Sequence, residues 1–526
     1  MKLQSIFKDR KNWLWIALLL ALVLIGSALM TYYTRTGAGI RGDSVRYVML
    51  ARNMLRGEGF SRTSGGGEIY PETGFAPFLP VVLAGFGALG LDLYSVGRAL
   101  NLFLYAANIF LIGYIIWRAT KSITAMLIGA SLFLLADNIF EWHAWLMSEA
   151  LFISLSLIAF LSIEILISKQ RTAALYVAGL SAAAASLTRY AGVSLIPTGA
   201  LVILLLYKGN FRSRLIRAVS FSLIAFLPFV LWFFRNQSLG VEGFANRKII
   251  FHPIRPEVLR VYLFEIASWF MPEEIVVHRV VRGAFALLVA AFPPALFAIQ
   301  YWKEARSQNK ISVDNSSTVT FLLAFFLIPF YVLVLAINSF LLDAATTFSA
   351  VIRYAMPILI FLIILEVVSF AHAAKRLNLP LGIKVAAIGY SLILMGFFGY
   401  DTLQMSAAST LELGYTGIIK LWPGVVNELE EHDADIPIIS NNPEMVYYLV
   451  NRPAYMKPIN YDVYQQSYRQ DFEQQLQLAR KRMSAGSIFV FFDEPSDEEQ
   501  EILELLDADV IYETPRVKIF AYADSQ

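Results

Sequence analysis

The sequence contains no cysteine among its 526 residues. That absence excludes disulfide bonds, thiolate metal sites and a cysteine nucleophile, and it leaves the redox compartment undecided. Charged residues are also scarce, at 16% against about 25% in an average soluble domain, and the formal net charge of +2 does not support nucleic-acid binding. With 57% of its residues hydrophobic, the chain is predicted to have the lipid bilayer as its main solvent.

Apolar runs long enough to cross a bilayer recur along the chain. The first, residues 13–33, is longer than the apolar core of a secretory signal, about 7–15 residues, so we expect a retained spanning helix. With the later runs the prediction is about eleven spans. The later runs are residues 96–117, 123–140, 146–167, 173–187, 191–207, 215–234, 283–301, 319–337, 352–371 and 385–400.

Lys and Arg collect in every second connection between these runs. The basic connections are the N-terminus and residues 118–121, 169–171, 208–217, 303–310 and 375–384. Because short cytoplasmic loops are enriched in Lys and Arg, the N-terminus is predicted to be cytoplasmic. The same alternation predicts that the apolar segment 75–93 does not cross the membrane and is a juxtamembrane or re-entrant helix.

The predicted organisation has two domains. Residues 1–402 form a transmembrane domain with large extracytoplasmic loops at 34–95 and 235–282, and residues 403–526 form an extracytoplasmic soluble α/β domain. The second domain is predicted from alternating helical and strand patterns, such as the strand-like IPIIS followed by a helical segment. Asn441 and Asn442, between that strand and helix, are interpreted as turn and cap residues.

Asp43 lies in the first of these loops, near the start of a short amphipathic helical pattern. An aspartate there is an ordinary helix N-cap. It is also a candidate functional residue, because the N-terminus of a helix keeps a carboxylate ionised and aimed outward. The two roles are compatible.

The order of several motifs resembles that of the GT-C glycosyltransferases, most narrowly the protein O-mannosyltransferase and lipid A aminoarabinose transferase group. The motifs are Asp43 after the first span, Ala51-Arg52-Asn53, Gly57-x-Gly59-Phe60, MSEALF (147–152), LTRYAG (187–192), LPFVLWFFRN (227–236), IRYAMP (352–357) and the segment 438–455. Three features depart from the pattern. Ser44 replaces a second acidic residue, the segment 70–80 has no lysine, and a WWDYG-type signature is absent.

The resemblance implies a polytopic α-helical GT-C fold in a prokaryotic plasma (inner) membrane. It also implies transfer of a sugar, with inversion, from a polyprenyl-phosphate-linked donor to a glycan, lipid or protein acceptor on the extracytoplasmic side. Asp43 would then be the general base for the acceptor hydroxyl. Membrane lipids would be the other partners.

Donors for the leaving phosphate are expected among arginines at the outer ends of spans, because guanidinium binds phosphate oxygens bidentately. Each arginine has a structural alternative, which is to extend to the lipid interface. The candidate donor-phosphate and substrate-binding residues are Arg189, Tyr190, Arg235, Arg353, Tyr354, Glu149, His143, Tyr70 and Glu72. Asp43 and Glu149 are also the candidate ligands of a possible divalent metal, although a structural ion pair accounts equally well for Glu149.

A different class of function remains open, namely a polytopic transporter or a lipid or glycolipid flippase. No internal inverted repeat is visible, the acidic residue lies in an external loop, and a soluble domain follows the spans. These features favour an enzyme. A noncatalytic scaffold with the same fold is a third alternative.

Overall fold

The computed structural model describes residues 10–240, 251, 256–306, 316–341, 348–407, 415–417, 422–433, 435–462 and 467–523. Two pieces of the predicted loop 235–282, residues 241–250 and 252–255, lie outside the described residues. Helices predominate up to residue 407.

The helices of this first region are α1 (Arg10–Tyr33), α2 (Gly42–Leu55), α3 (Phe78–Gly87), α4 (Leu93–Thr120), α5 (Ile123–Leu135), α6 (Asp137–Ala144), α7 (Glu149–Lys169), α8 (Thr172–Thr188), α9 (Leu195–Leu206), α10 (Phe211–Ser238), α11 (Pro256–Ser268), α12 (Arg279–Arg306), α13 (Ser316–Leu341), α14 (Phe348–Arg376) and α15 (Leu381–Ala407). A short 3-10 helix, Tyr190–Ser194, joins α8 to α9.

Eight of the described helices are long and apolar enough to cross a membrane, namely α1, α4, α7, α10 and α12 to α15. The pair α5 and α6 makes a ninth span if its two helices are counted together. The two remaining predicted spans, 173–187 and 191–207, fall on the shorter apolar helices Thr172–Thr188 and Tyr190–Leu206. The polytopic helical fold predicted from the sequence is confirmed, and the protein is an integral membrane protein.

The predicted span 123–140 is a bent pair and not one straight helix. The backbone at Ala136 is extended, which ends α5, and the axis turns by 57° before α6 continues. After the bend, α6 runs in a different direction from α5 and carries Trp142 and His143.

Glycines allow the spanning helices to pack closely. A Cβ atom at Gly113 of α4 would lie 2.4 Å from Leu19 of α1, and one at Gly199 of α9 would lie 2.5 Å from Phe221 of α10. Both distances are shorter than a normal Cβ contact, so a larger residue at either position would force the facing side chain to move. Small residues at helix crossings are a common means of packing in membranes, where lipid tails remove most of the hydrophobic driving force.

The long connection between α1 and α4 contains α2, a two-stranded antiparallel hairpin of β1 (Ser61–Thr63) and β2 (Ile69–Pro71), and α3. With 10 residues, α3 is about 15 Å long, half of the roughly 30 Å needed to cross the hydrocarbon layer. The length of α3 therefore agrees with the prediction that segment 75–93 does not cross.

The region after α15 is a small α/β unit. Its elements are α16 (Pro423–Glu431), β3 (Ile438–Ser440), α17 (Pro443–Val450), β4 (Ala454–Met456), β5 (Tyr461–Asp462), β6 (Ser467–Tyr468), α18 (Phe472–Ser484), β7 (Ile488–Phe492), α19 (Asp497–Leu505), β8 (Ala508–Glu513) and β9 (Val517–Tyr522). Five strands form one sheet in the order β4-β3-β7-β9-β8, with β4, β3 and β7 parallel and the other pairs antiparallel.

Both faces of this sheet are covered, as the fully apolar strand β7 requires. Ile488, Val490 and Phe492 pack in one core, and Phe489 and Phe491 pack in another on the opposite face. The alternation follows from the two-residue repeat of a strand. The predicted α/β character of the C-terminal region is confirmed.

Candidate functional site

A cluster of two carboxylates and two guanidinium groups lies where α2, α7, α8 and α14 meet. Arg353 donates from Nη1 to Asp43 Oδ2 over 2.8 Å and from Nε to Glu149 Oε1. Arg189 donates from Nη1 to the same Glu149 oxygen and to Ser148 Oγ, 3.2 Å away. The four charges sum to zero, and the side chain of Arg353 connects the two carboxylates.

Exposure differs sharply across the cluster. The Glu149 side chain is 1% exposed, whereas that of Asp43 is 36% exposed. Glu149 is therefore the buried counterion of both arginines, and Asp43 is the carboxylate that solvent reaches. Asp43 Oδ1 has no hydrogen-bond partner among the described residues.

Backbone pairing explains why Asp43 and Glu149 come together although they are far apart in the sequence. The segment before α2 pairs with the segment between α6 and α7: Gly39 N donates to Ala144 O over 3.0 Å, and Leu146 N donates to Gly39 O over 2.9 Å. A Cβ at Gly39 would lie 2.7 Å from the Trp145 ring, so glycine is required there. Each acidic residue follows its paired segment within a few residues.

Asp43 is not the N-cap of its helix. Arg41 occupies the N-cap position, and its backbone N–H donates to Ser44 Oγ over 3.1 Å. Ser44 is completely buried, and its hydroxyl accepts this capping hydrogen bond. The second carboxylate near Asp43 comes from Glu149 of α7 through Arg353.

Arg235 and Glu72, two of the predicted substrate-binding residues, hold the first loop. Arg235 donates to the carbonyl oxygens of Glu72, over 2.6 Å, and Phe60, over 3.1 Å. Glu72 Oε1 accepts hydrogen bonds from the backbone N–H groups of Thr73 and Gly74, at 2.9 and 2.6 Å. These contacts give both residues a structural role apart from the Arg353 cluster.

The other predicted residues divide between the cluster and its surroundings. The guanidinium of Arg189 lies 5.6 Å from the Tyr354 ring centroid, and Tyr190 Oη accepts a hydrogen bond from Trp232 over 3.2 Å. His143 is completely buried and its ring nitrogens contact Asn108 Nδ2 and Ile139 O at 3.0 and 2.6 Å. Tyr70, on β2, is half exposed on the hairpin.

A divalent metal at Asp43 and Glu149 stays a prediction that the geometry does not favour. The guanidinium of Arg353 contacts both carboxylates and already supplies positive charge to each. No third His, Asp or Glu joins them to form a ligand set within the described ranges. The donor set therefore fits an ion-pair network better than a metal centre.

Two side chains, Trp142 and Glu366, were not among the residues predicted from the sequence to have a function. Trp142 lies beneath both Arg41 and Arg353, with ring-to-guanidinium distances of 5.2 and 5.6 Å. Glu366 lies midway along α14, and neither carboxyl oxygen has a hydrogen-bond partner in the described part of the chain. Trp142 belongs to the wall of the cluster. A charged residue inside a long apolar run was the only available signal for Glu366.

Comparisons with known proteins agree on the fold. No protein-family model matches the sequence, and no curated protein matches it. Among solved structures, the chain is similar to ArnT from Cupriavidus metallidurans bound to undecaprenyl phosphate, with a TM-score of 0.52 and 13% identity over 98% of this chain and 99% of that one. It is also similar to the mycobacterial arabinofuranosyltransferase AftD, with a TM-score of 0.51 and 14% identity.

The AftD match covers 96% of this chain but only 41% of AftD. The ArnT match extends over nearly the full length of both chains. These likenesses establish that the chain has the GT-C fold, as the resemblance of its motifs predicted.

Proposed function

We propose that this protein is an inverting membrane glycosyltransferase that takes a sugar from a polyprenyl-phosphate-linked donor. The observation that carries the proposal is the contact of Arg353 with both the half-exposed Asp43 and the buried Glu149–Arg189 pair. In this site a proton acceptor, Asp43, lies in the same cluster as two fixed cations, Arg189 and Arg353. The cluster lies at the ends of helices and not midway along them. The fold shared with ArnT, whose structure contains undecaprenyl phosphate, supports the choice of donor.

In the proposed reaction the acceptor hydroxyl attacks the anomeric carbon from the face opposite the phosphate. The new bond joins the acceptor oxygen to that carbon, and the bond between the carbon and the phosphate oxygen breaks. Asp43 takes the hydroxyl proton, which requires an accessible oxygen atom on a carboxylate. The bonding electrons leave with the polyprenyl phosphate, so no general acid is needed, and a single displacement inverts the configuration.

The leaving phosphate needs hydrogen-bond donors. Both arginines have side-chain N–H groups that are not used in the cluster. Within the described residues, Arg189 bonds only through Nη1, and Arg353 uses Nε and Nη1. The remaining N–H groups are available to phosphate oxygens, with which guanidinium forms charge-assisted hydrogen bonds. Glu149 fixes both guanidinium groups before the donor arrives, which lowers the entropy lost on binding.

An apolar groove between α9 and α10 suits the isoprenoid chain of the donor. Its volume is about 520 Å³ and its lining is almost entirely apolar, including Ile196 and Ala200 of α9 and Phe226 and Val230 of α10. Its outer end adjoins the 3-10 helix that begins at Tyr190, whose hydroxyl contacts Trp232 of α10. Since Arg189 precedes Tyr190, a chain in this groove would bring its phosphate toward the two arginines.

The direct test incubates purified protein in detergent with labelled polyprenyl-phosphate hexoses and pentoses. We expect transfer or slow hydrolysis from one donor class, with the configuration at the anomeric carbon inverted. If no donor reacts while labelled lipid crosses the bilayer of proteoliposomes, the enzyme proposal is wrong and the flippase alternative gains support. The extracytoplasmic side, the prokaryotic inner membrane and the acceptor class of glycan, lipid or protein belong to the same proposal.

Substituting the two arginines separately distinguishes phosphate binding from loop support. Arg189→Ala is expected to weaken binding of polyprenyl phosphate by about 10- to 100-fold, because it removes a charge-assisted contact worth about 1.5–3 kcal/mol. Arg235→Ala is expected to leave that affinity unchanged and to make residues 60–75 more sensitive to protease. Equal loss of affinity in the two variants would contradict this assignment.

Filling the groove between α9 and α10 should affect long donors more than short ones. Ala200→Phe places a larger side chain in the groove, so we expect a higher KM for a long polyprenyl-phosphate sugar and an unchanged KM for a short-chain analogue. Ala173→Phe, at an exposed position of α8 outside the groove lining, is the control for added bulk. If both chain lengths respond alike to Ala200→Phe, the isoprenoid lies elsewhere.

A further inference from the structure

The C-terminal domain contacts the same short segment that presents Asp43. Tyr415 N donates to Ile40 O over 3.0 Å, and Thr416 Oγ1 donates to Ala38 O over 3.0 Å. The segment before α2 is thus held on one side by residues near Trp145 and on another by residues beyond α15. These contacts attach the start of the C-terminal region to the segment that precedes α2.

Helix α17 of the C-terminal domain runs along α2. Glu444, in the first turn of α17, accepts from Arg46 Nε and Nη2 at 2.8 and 2.6 Å. One helix length further, Asn451 Oδ1 accepts from Arg52 Nη1 at 2.5 Å. Contacts near both ends of α2 fix its position along its axis and its rotation about that axis. They therefore also fix Asp43, which lies three residues before Arg46.

A third contact connects α17 to the Asp43 end of α2. Tyr415 donates from its hydroxyl to Asn442 Oδ1 over 2.9 Å, and Asn442 caps α17 by accepting from Met445 N over 3.1 Å. Burial raises the pKa of Tyr415 to about 12, so the hydroxyl keeps the proton that it donates. The Tyr415 hydroxyl lies 3.7 Å from where a Cβ of Gly42 would be, which is ordinary packing distance beside Asp43.

We propose that Glu444 is a positioning residue for the transfer reaction, acting through Arg46 to hold α2 so that Asp43 stays against Arg353. This inference rests on the proposed function. It gives the C-terminal domain a part in the chemistry of a site whose charged residues all belong to the transmembrane domain. The exposed fraction of the Arg46 side chain, 42%, means that the ion pair adds little to global stability. The main effect of the Arg46–Glu444 ion pair should therefore be on the position of α2.

The test uses the full-length protein and a charge exchange. Glu444→Lys and Arg46→Glu each place like charges opposite one another, so each is expected to lower kcat by about 10- to 100-fold, the range that a misplacement near 1 Å produces. The KM for the donor should stay unchanged, since Arg189 and Arg353 are not altered. The double variant, Arg46→Glu with Glu444→Lys, should recover most of the lost kcat.

The matched control exchanges the charges of Arg480 and Asp507, an exposed ion pair within the same domain, and should leave kcat unchanged. Hydrogen–deuterium exchange in residues 42–55 provides a readout that does not depend on turnover. We expect faster exchange in each Arg46 or Glu444 single variant and near wild-type exchange in the double variant.

The outcomes separate the two proposals. If wild-type protein transfers sugar and the Glu444→Lys variant matches it in kcat and exchange, the positioning role is wrong. A single variant that loses activity without recovery in the double variant would also overturn it. If wild-type protein transfers no sugar but exchange in α2 responds to the charge reversal and recovers in the double variant, the contact with α2 stands and the transfer reaction is what fails.

Discussion

Asp43→Asn is expected to lower turnover by about 10²- to 10⁴-fold, the usual contribution of a general base. The amide has nearly the shape of the carboxylate, and its oxygen still accepts a hydrogen bond from Arg353, but it cannot take the acceptor proton. Affinity for the donor should be preserved or slightly improved, because one negative charge near the phosphate has been removed. Transfer of labelled sugar and binding of polyprenyl phosphate measure the two effects separately.

Asp92→Asn is the matched control for this substitution. Asp92 is an exposed aspartate of the first loop whose Oδ2 caps α4 by accepting from Ser95 N over 2.8 Å. Asparagine caps helices about as well as aspartate, so neither turnover nor stability should change. Near-normal transfer by the Asp43→Asn variant would remove Asp43 from the mechanism and leave Glu149 as the nearest carboxylate.

The features of the fold that the sequence predicted are those with a periodic or compositional signal. The length of the apolar runs predicted the spans. The alternation of basic loops predicted that segment 75–93 does not cross the membrane, which agrees with the 10-residue length of α3. The break at Ala136 carried no such signal, because the residue is neither glycine nor proline. We attribute that bend to the packing of α6 against the neighbouring helices α4, α14 and α15.

The site was only partly predictable for a related reason. Arginines at the ends of spans were recognisable as phosphate-binding candidates, but sequence does not distinguish an arginine that bonds to a carboxylate from one that bonds to loop carbonyls. Arg353 and Arg189 converge on Glu149, whereas Arg235 binds the backbone at Glu72 and Phe60. The Arg46–Glu444 pair joins residues 398 positions apart, a separation over which no local pattern operates.

Glu149→Ala is expected to destabilise the protein by about 3–5 kcal/mol, because it leaves the two guanidinium groups of Arg189 and Arg353 buried without their shared counterion. A phosphate would supply the missing negative charge. Polyprenyl phosphate should therefore raise the Tm of this variant by more than it raises that of the wild type, since a ligand that binds only the folded state stabilises it. Thermal unfolding with and without the lipid phosphate measures both effects.

Glu164→Ala provides the comparison, because Glu164 is an equally buried carboxylate that pairs with one arginine, Arg118, at the opposite end of α7. It should also destabilise the protein, but polyprenyl phosphate should raise its Tm no more than that of the wild type. Adding Arg189→Met to Glu149→Ala removes one uncompensated charge, so it should recover part of the stability and reduce the extra rise in Tm that polyprenyl phosphate gives the single variant. If Glu149→Ala and Glu164→Ala respond alike to the lipid phosphate, Glu149 is an ordinary structural counterion and the two arginines beside it do not bind the donor.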